Sequence, residues 1–243
     1  MKFFFFHIGS HKTASTAIQK FCFKYSEKLN DLGLLYPNIW IPENSYGHHH
    51  LAWLSNGNKK YDESFGKLSD LHKILDTNSN ILISSEEFSI LNDPNLLLPL
   101  INIIKKANYE IKIIWILRKQ EELFNSLLQE IIKKRILLKD IDQLFFSLLK
   151  NKHLLARDNI YCFDYKILYE KILDFFQINK NDIYINWFPK KNSILNFFNL
   201  FFSESMNEKM CKYISQHDSL LFNESMSQTS FDMLNYFNTI TEN

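Results

Sequence analysis

Phe3 to Ile8 is apolar except for His7, and the run stops at Gly9. A short apolar run closed by glycine predicts a strand buried on both faces that feeds a turn. From Thr13 the spacing changes: Ala17, Ile18, Phe21, Tyr25 and Leu29 recur at helical intervals, and Gly33 closes the segment. That is one face of a helix with a glycine stop. Strand, polar turn and helix form the first half of a βαβ unit.

The alternation continues. Residues 69–76 predict a helix and 81–84 a second buried strand, which ends in Ser85, Glu86 and Glu87. Residues 96–107 predict a helix, 111–117 a third strand, and 120–134 a long helix that starts just after Arg118. Further helices are expected at 141–149 and 165–176, with a fourth strand at 160–163 between them; 183–187 reads as a fifth strand or an extended connector. Residues 34–53, with Pro37, Pro42, Gly47 and the triplet His48, His49, His50, read as irregular, and beyond Asn192 only helical spacing remains. Strands alternating with helices predict an α/β fold: three layers, α/β/α, around a central parallel sheet of four to five strands, plus C-terminal helices. No repeat or long linker divides the chain, so residues 1–243 are expected to form one domain, with 190–243 a mainly helical extension. Ligands of such sheets sit at the carboxyl ends of the strands. That rule selects residues 9–16, 85–87 and 118–126.

Composition narrows the function classes. With 46% hydrophobic residues in 243, the chain can bury a sizeable core. Its 28 basic and 27 acidic side chains nearly cancel, so no bulk attraction to nucleic acid or an anionic membrane is expected. The opening apolar run is too short for a secretory signal, is interrupted by His7 and lacks a small-residue cleavage site. No stretch approaches the roughly 20 apolar residues of a membrane span. A cytoplasmic protein is therefore expected, with Cys22, Cys162 and Cys211 as reduced, buried thiols, since their spacing suggests neither a disulfide framework nor a metal site. The histidine triplet invites a metal, but adjacent side chains rarely face one point and no cysteine or carboxylate spacing accompanies them; no metal is expected.

Residues 7–16 join the first strand to the first helix. A helix-opening loop offers free backbone N–H groups and the positive end of the helix dipole. Lys12 adds a charge, Thr13, Ser15 and Thr16 add hydroxyls, and His11 can reach the same anion. The nucleotide-binding pattern G-x-x-x-x-G-K-S/T is not met, because Gly9 precedes Lys12 by three residues and no glycine directly precedes the lysine. His7 is expected to be a core histidine. Arg118, at the end of a strand, and Ser126, eight residues on, form a second pair suited to phosphate: a guanidinium grips its oxygens bidentately and a hydroxyl adds a donor.

The stretch from His7 to Gln19 resembles the 5′-phosphosulfate loop of sulfotransferases that use 3′-phosphoadenosine 5′-phosphosulfate (PAPS), in particular bacterial ones reading H-I-G-x-x-K-T-G-T-T-x-x-Q. Residues 32–37 resemble the segment that closes the first helix there, and 118–127 resemble the segment holding the 3′-phosphate. The resemblance implies a P-loop-NTPase-like sheet and transfer of a sulfuryl group from PAPS to a hydroxyl or amine of a small molecule or glycan, without a metal. It implies that Lys12 contacts the phosphosulfate bridge, that Thr13, Ala14, Ser15 and Thr16 hold the 5′-phosphate, and that Arg118 and Ser126 hold the 3′-phosphate. Two positions depart from the pattern: Ala14 stands in place of glycine and Ser15 in place of threonine. The added Cβ at position 14 is harmless in a helical backbone and strained at positive φ.

Such a transfer needs a group to accept the acceptor's proton. Glu86 is the first choice, since the related proteins often carry Ser-Ser-Glu or a similar run there; Glu87 and one of His48, His49 and His50 are alternatives, with His49 the middle of the triplet. Trp40, Tyr46 and Trp53 are available to stack on an acceptor or to pack the core. Late in the chain, residues 223–227 and 190–193 are rival segments to close over the nucleotide. Two other functions compete. A nucleotide kinase would need a G-K-S/T loop and a strand-end aspartate, and neither is present; a non-catalytic nucleotide- or partner-binding descendant is favoured by Ala14.

Overall fold

The computed structural model describes residues 1–133, 153–156, 159–189, 193–202 and 209. Residues 141–149, 190–192 and 223–227, along with Cys211, lie outside them. The chain gathers into two compact units, Met1–Leu117 with Tyr169–Leu221, and Arg118–Leu168 with Phe222–Asn243.

The first unit holds a five-stranded sheet in the order β2, β3, β1, β4, β7, with every neighbouring pair parallel. Its strands are β1 (Lys2–His7), β2 (Leu34–Leu35), β3 (Asn80–Ser84), β4 (Tyr109–Leu117) and β7 (Ile183–Trp187). β1 is central because its phenylalanines point both ways and both faces are covered. Phe5 joins Leu82, Ile114 and Ile116 under α1 (Ser15–Lys24), α2 (Ser26–Asp31) and α8 (Ser193–Phe198), through Ile18, Phe21, Leu29, Phe197 and Phe198. On the opposite face Phe6 meets Phe88 and Phe176 at ring distances of 5.1 Å. That layer includes the short α4 (Leu71–Leu75) beside α5 (Pro94–Lys106), which buries Leu97, Leu100, Ile101 and Ile104, and the end of α7 (Tyr165–Phe175). The three layers and the parallel sheet are those the periodicity predicts. Sheet order reverses beside β1: the chain leaves β1 toward β2 on one side and later crosses to β4 on the other. A crevice at such a switch point is where open α/β sheets take ligands.

Four local expectations are corrected. Residues 34–35, read as irregular, form an edge strand; two residues are too few for any period to show. Residues 49–56 form a helix, α3, which begins at the histidine triplet. The first helix is two, because Tyr25 leaves helical backbone at φ −111°. The strand expected at 160–163 is β6 (Asn159–Cys162), which pairs antiparallel with β5 (His153–Ala156) in the second unit and not with the parallel sheet; β7 takes the outer place beside β4. A short apolar run announces a strand but not its partner, which long-range packing selects.

In the second unit α6 (Gln120–Lys133) buries Leu123 and Leu127 against Phe163. Cys162, expected to be buried, is partly exposed at the end of β6, with its Sγ 3.4 Å from the Asp164 carbonyl. Cys22 is buried in the first unit, where burial pushes its thiol up, as an inert core thiol requires. Among the described residues no helix is long and apolar enough to cross a membrane.

Candidate anion and proton-transfer site

Backbone pairing with β4 continues past the end of β1 at His7. Ile8 and Ser10 donate their N–H groups to the Ile114 and Ile116 carbonyls, and the Gly9 carbonyl accepts from Ile116 N–H at 2.7 Å. The Trp115 indole donates to Ser10 Oγ at 3.1 Å. The loop thus leaves the sheet only after Ser10, from a rigid seat. Gly9 is required there: its φ is +86°, and a Cβ would stand 2.8 Å from Glu86 Cβ.

After Ser10 the backbone curls. Lys12 lies at φ +63° and Ala14 at φ +60°, with Thr13 between them. Alternating hands of backbone turn successive N–H groups toward one point and make an anion-binding nest. Ala14 is also the N-cap of α1, and no side chain caps that helix. Its first N–H groups have no intrahelical acceptor and carry the positive end of the helix dipole. Two non-glycine residues held left-handed within three positions is the strain that functional loops concentrate. The left-handed backbone at Ala14 settles the question its Cβ raised: the position is one glycine would favour. Ala14→Gly is therefore expected to stabilise the protein by about 1 kcal/mol, raising the melting temperature by about 2–4 °C. A lower melting temperature would contradict the left-handed assignment.

The hydroxyls of the loop divide. Thr13 Oγ1 donates to the Ser10 carbonyl at 2.6 Å, Ser15 Oγ lies 3.5 Å from the same oxygen, and both residues are buried. They close the curl. Thr16 is exposed, and Lys12 and His11 are half-buried on the loop.

β3 brings the second half of the site alongside. Ser85 N–H donates to the His7 carbonyl, and His7 Nδ1 lies 2.7 Å from Ser84 Oγ. His7 is the core histidine expected, packed edge-on against Phe197. Burial lowers its pKa to about 4 despite the opposing pull of Glu86. Glu86 opens a short 3₁₀ turn and is partly exposed beside Gly9. Burial pushes its carboxyl up, but His49, His11, its own backbone N–H and Gln19 outweigh that and hold it below the ordinary value, so it is ionised. Glu87 is buried, and burial together with the Glu86 charge raises it.

The three histidines separate cleanly. His48 Nδ1 accepts from Ser84 N–H at 3.1 Å while Nε2 faces the Pro37 carbonyl at 2.9 Å, so its ring is a neutral structural bridge, and burial lowers its pKa to about 4. His50 Nδ1 accepts from Asp62 N–H and its ring stacks on Phe65 at 4.3 Å. His49 instead meets the residue just past the strand, beside Glu86: its Nδ1 lies 2.8 Å from Ser85 Oγ and its ring stacks on Trp53. The three rings do not converge, as a shared metal would require. Among the aromatic residues proposed for an acceptor, Trp40 is fully buried core, whereas Trp53 and Tyr46 keep partial exposure.

One residue of this site stood in the motif without a role. Gln19, buried on α1, donates its Nε2–H to Glu86 Oε2 at 3.0 Å. The final Q of the motif was its sequence signal.

Arg118 and Ser126 lie in the second unit. Arg118 follows β4 directly; its carbonyl accepts from the Tyr165 hydroxyl, and its Nε is 3.6 Å from Glu122 Oε2. Ser126 is half-buried on α6, two turns along.

No family model matches the sequence, and no curated protein matches it. Solved structures with a similar chain course include one from the PezAT chromosomal toxin–antitoxin system of Streptococcus pneumoniae, at 15% identity, 91% coverage of this chain, 88% of that chain and TM-score 0.41. A sulfotransferase from Alicyclobacillus acidocaldarius matches at 11% identity, with 91% of this chain and 94% of that chain covered and TM-score 0.45. A fungal RNA kinase matches at 9% identity, with 99% of each chain covered and TM-score 0.33. These scores are low, and the fold class of this chain rests on its own strand pairings.

Proposed function

We propose that this chain is a sulfotransferase that moves a sulfuryl group from PAPS to a hydroxyl or amine of a small molecule or glycan. The observation that carries this reading is the anion nest at Lys12–Ala14, opening α1, with an ionised carboxylate just past the neighbouring strand end and a histidine at the start of α3. A nest and a lysine suit the phosphosulfate, whose leaving phosphate gains charge in the transition state. The nearby Glu86 and His49 suit the acceptor, which must lose a proton as it attacks. In the step proposed, the acceptor oxygen or nitrogen forms a bond to sulfur while the bond from sulfur to the bridging phosphate oxygen breaks. The acceptor's proton passes to the protein base, and 3′-phosphoadenosine 5′-phosphate (PAP) departs. Arg118 and Ser126 are assigned to its 3′-phosphate on the sequence motif alone.

A second reading has one observation in its favour. The left-handed Ala14 strains the loop where glycine would not, as a nucleotide-binding descendant that no longer transfers could tolerate. Calorimetric titration with PAP separates the possibilities. Wild-type protein is expected to bind PAP with a Kd on the order of micromolar, and Arg118→Ala to weaken it about ten- to a hundredfold, the worth of a charge-assisted hydrogen bond. No binding by folded wild-type protein sinks both readings; binding with no transfer from PAPS to any of a broad set of hydroxyl and amine acceptors leaves only the second.

A further inference from the structure

Gln19 and Glu86 are 67 positions apart and meet through a single hydrogen bond of 3.0 Å. Gln19 is only 2% exposed, so its amide is no surface ornament; a buried amide must find partners or destabilise the fold. One face of that amide is fixed by Gly47, where a Cβ would stand 2.7 Å from Gln19 Cδ. Gly47 immediately precedes His48 and the helix that carries His49. Three elements therefore converge: α1 through Gln19, the strand end through Ser85 and Glu86, and the start of α3 through His49.

Ser85 Oγ accepts from Glu87 N–H at 3.2 Å and lies 2.8 Å from His49 Nδ1. When Nδ1 carries the proton and donates to Ser85 Oγ, His49 Nε2 keeps the free electron pair a base needs. We infer that Gln19 is a positioning residue: it fixes the Glu86 carboxylate beside the His49 ring, so that His49, tethered at Nδ1 by Ser85, receives the acceptor's proton and Glu86 supports the resulting charge. This inference rests on the transfer reading of the site and assigns its two carboxylate and imidazole groups different tasks. The carboxyl of Glu86 is held below its ordinary value by His49, His11, its own backbone N–H and the Gln19 hydrogen bond; a group so stabilised is a poor proton acceptor and a good electrostatic support. The other titratable groups that face the pair are Glu87 and Tyr36, against Glu86, and His48 and His50, which flank His49.

The test is an NMR titration of the His49 ring, assigned with His49→Asn, in wild-type protein, Glu86→Gln and Gln19→Met, with thermal melts to confirm folding. PAP binding is measured on the same samples. Glu86→Gln is expected to lower the His49 pKa by about one unit, the effect of losing a nearby opposite charge, and Gln19→Met to lower it by less in the same direction. Methionine fills the volume of glutamine without donating a hydrogen bond, so a purely space-filling role for Gln19 predicts no shift. A His49 pKa unmoved in folded Gln19→Met overturns the inference, and so does one that moves upward. If the shift appears but PAP does not bind, the coupling stands and the sulfotransferase reading fails; if PAP binds and the shift is missing, the reverse holds.

Discussion

Lys12→Ala is expected to lower the rate of sulfuryl transfer from PAPS by about a hundred- to a thousandfold, while the protein keeps its fold. Lys12 sits half-exposed on the nest, at φ +63°, where alanine adopts the same backbone with the same strain. The substitution therefore removes the ammonium group without changing the backbone it stands on. In the ground state the nest N–H groups and the α1 dipole still hold the phosphate, so PAP affinity should fall far less than turnover. A group that acts mainly on charge developing in the transition state lowers the rate constant more than it weakens binding. Single-turnover transfer and PAP titration on the same protein make the comparison. Wild-type turnover in Lys12→Ala removes Lys12 from the mechanism, and equal losses in both would make it a binding residue only.

Acid should destabilise this protein before most of its carboxylates are protonated. His7 and His48 are buried and neutral, each with a pKa near 4 against an ordinary 6.5. Their folded values are depressed, so the unfolded chain binds protons first as pH falls. The stability they contribute is complete above pH 6.5, is lost progressively between 6.5 and 4, and is lost no further below that. Each depression corresponds to about 3 kcal/mol, and the two together to about 6 kcal/mol, a large share of ordinary domain stability. Glu87 opposes the trend, since its raised pKa lets the folded state take up a proton early, but it is one group against two. Urea midpoints at pH 7.5 and 4.5 should differ strongly in wild-type protein. In His48→Asn, which keeps an acceptor for Ser84 N–H and cannot titrate, the difference should shrink even though stability at pH 7.5 is lower. Equal pH dependence in the two proteins would mean that His48 already takes up its proton in the fold.

The parts of the site differ in how far they could be read from the chain. The loop was legible because its signals are local: an apolar strand, Gly9, a lysine, and three hydroxyls at the start of a helix. What each hydroxyl does was not, because Thr13 and Ser15 turn to the Ser10 carbonyl only once the loop has curled. The triplet of histidines offered three equivalent candidates. Their division into one beside Glu86 and two structural rings depends on Pro37, Ser84, Asp62 and Ser85, which lie 11 and 36, 12, and 36 positions away. The αL backbone at Ala14 could be posed only as a question, since alanine itself prefers the opposite hand.

By itself the sequence determined the class of the fold, its first strand and the loop that opens α1, because burial periodicity and turn chemistry are written in neighbouring residues. It also determined which residue types were available for anion binding and proton transfer. Tertiary structure alone decided that β7, not β6, lies beside β4, that Leu34–Leu35 is a strand, and that Gln19 meets Glu86 across 67 positions. Those outcomes turn on which distant surfaces pack together, and a strand or a buried amide carries no local mark of the partner that satisfies it.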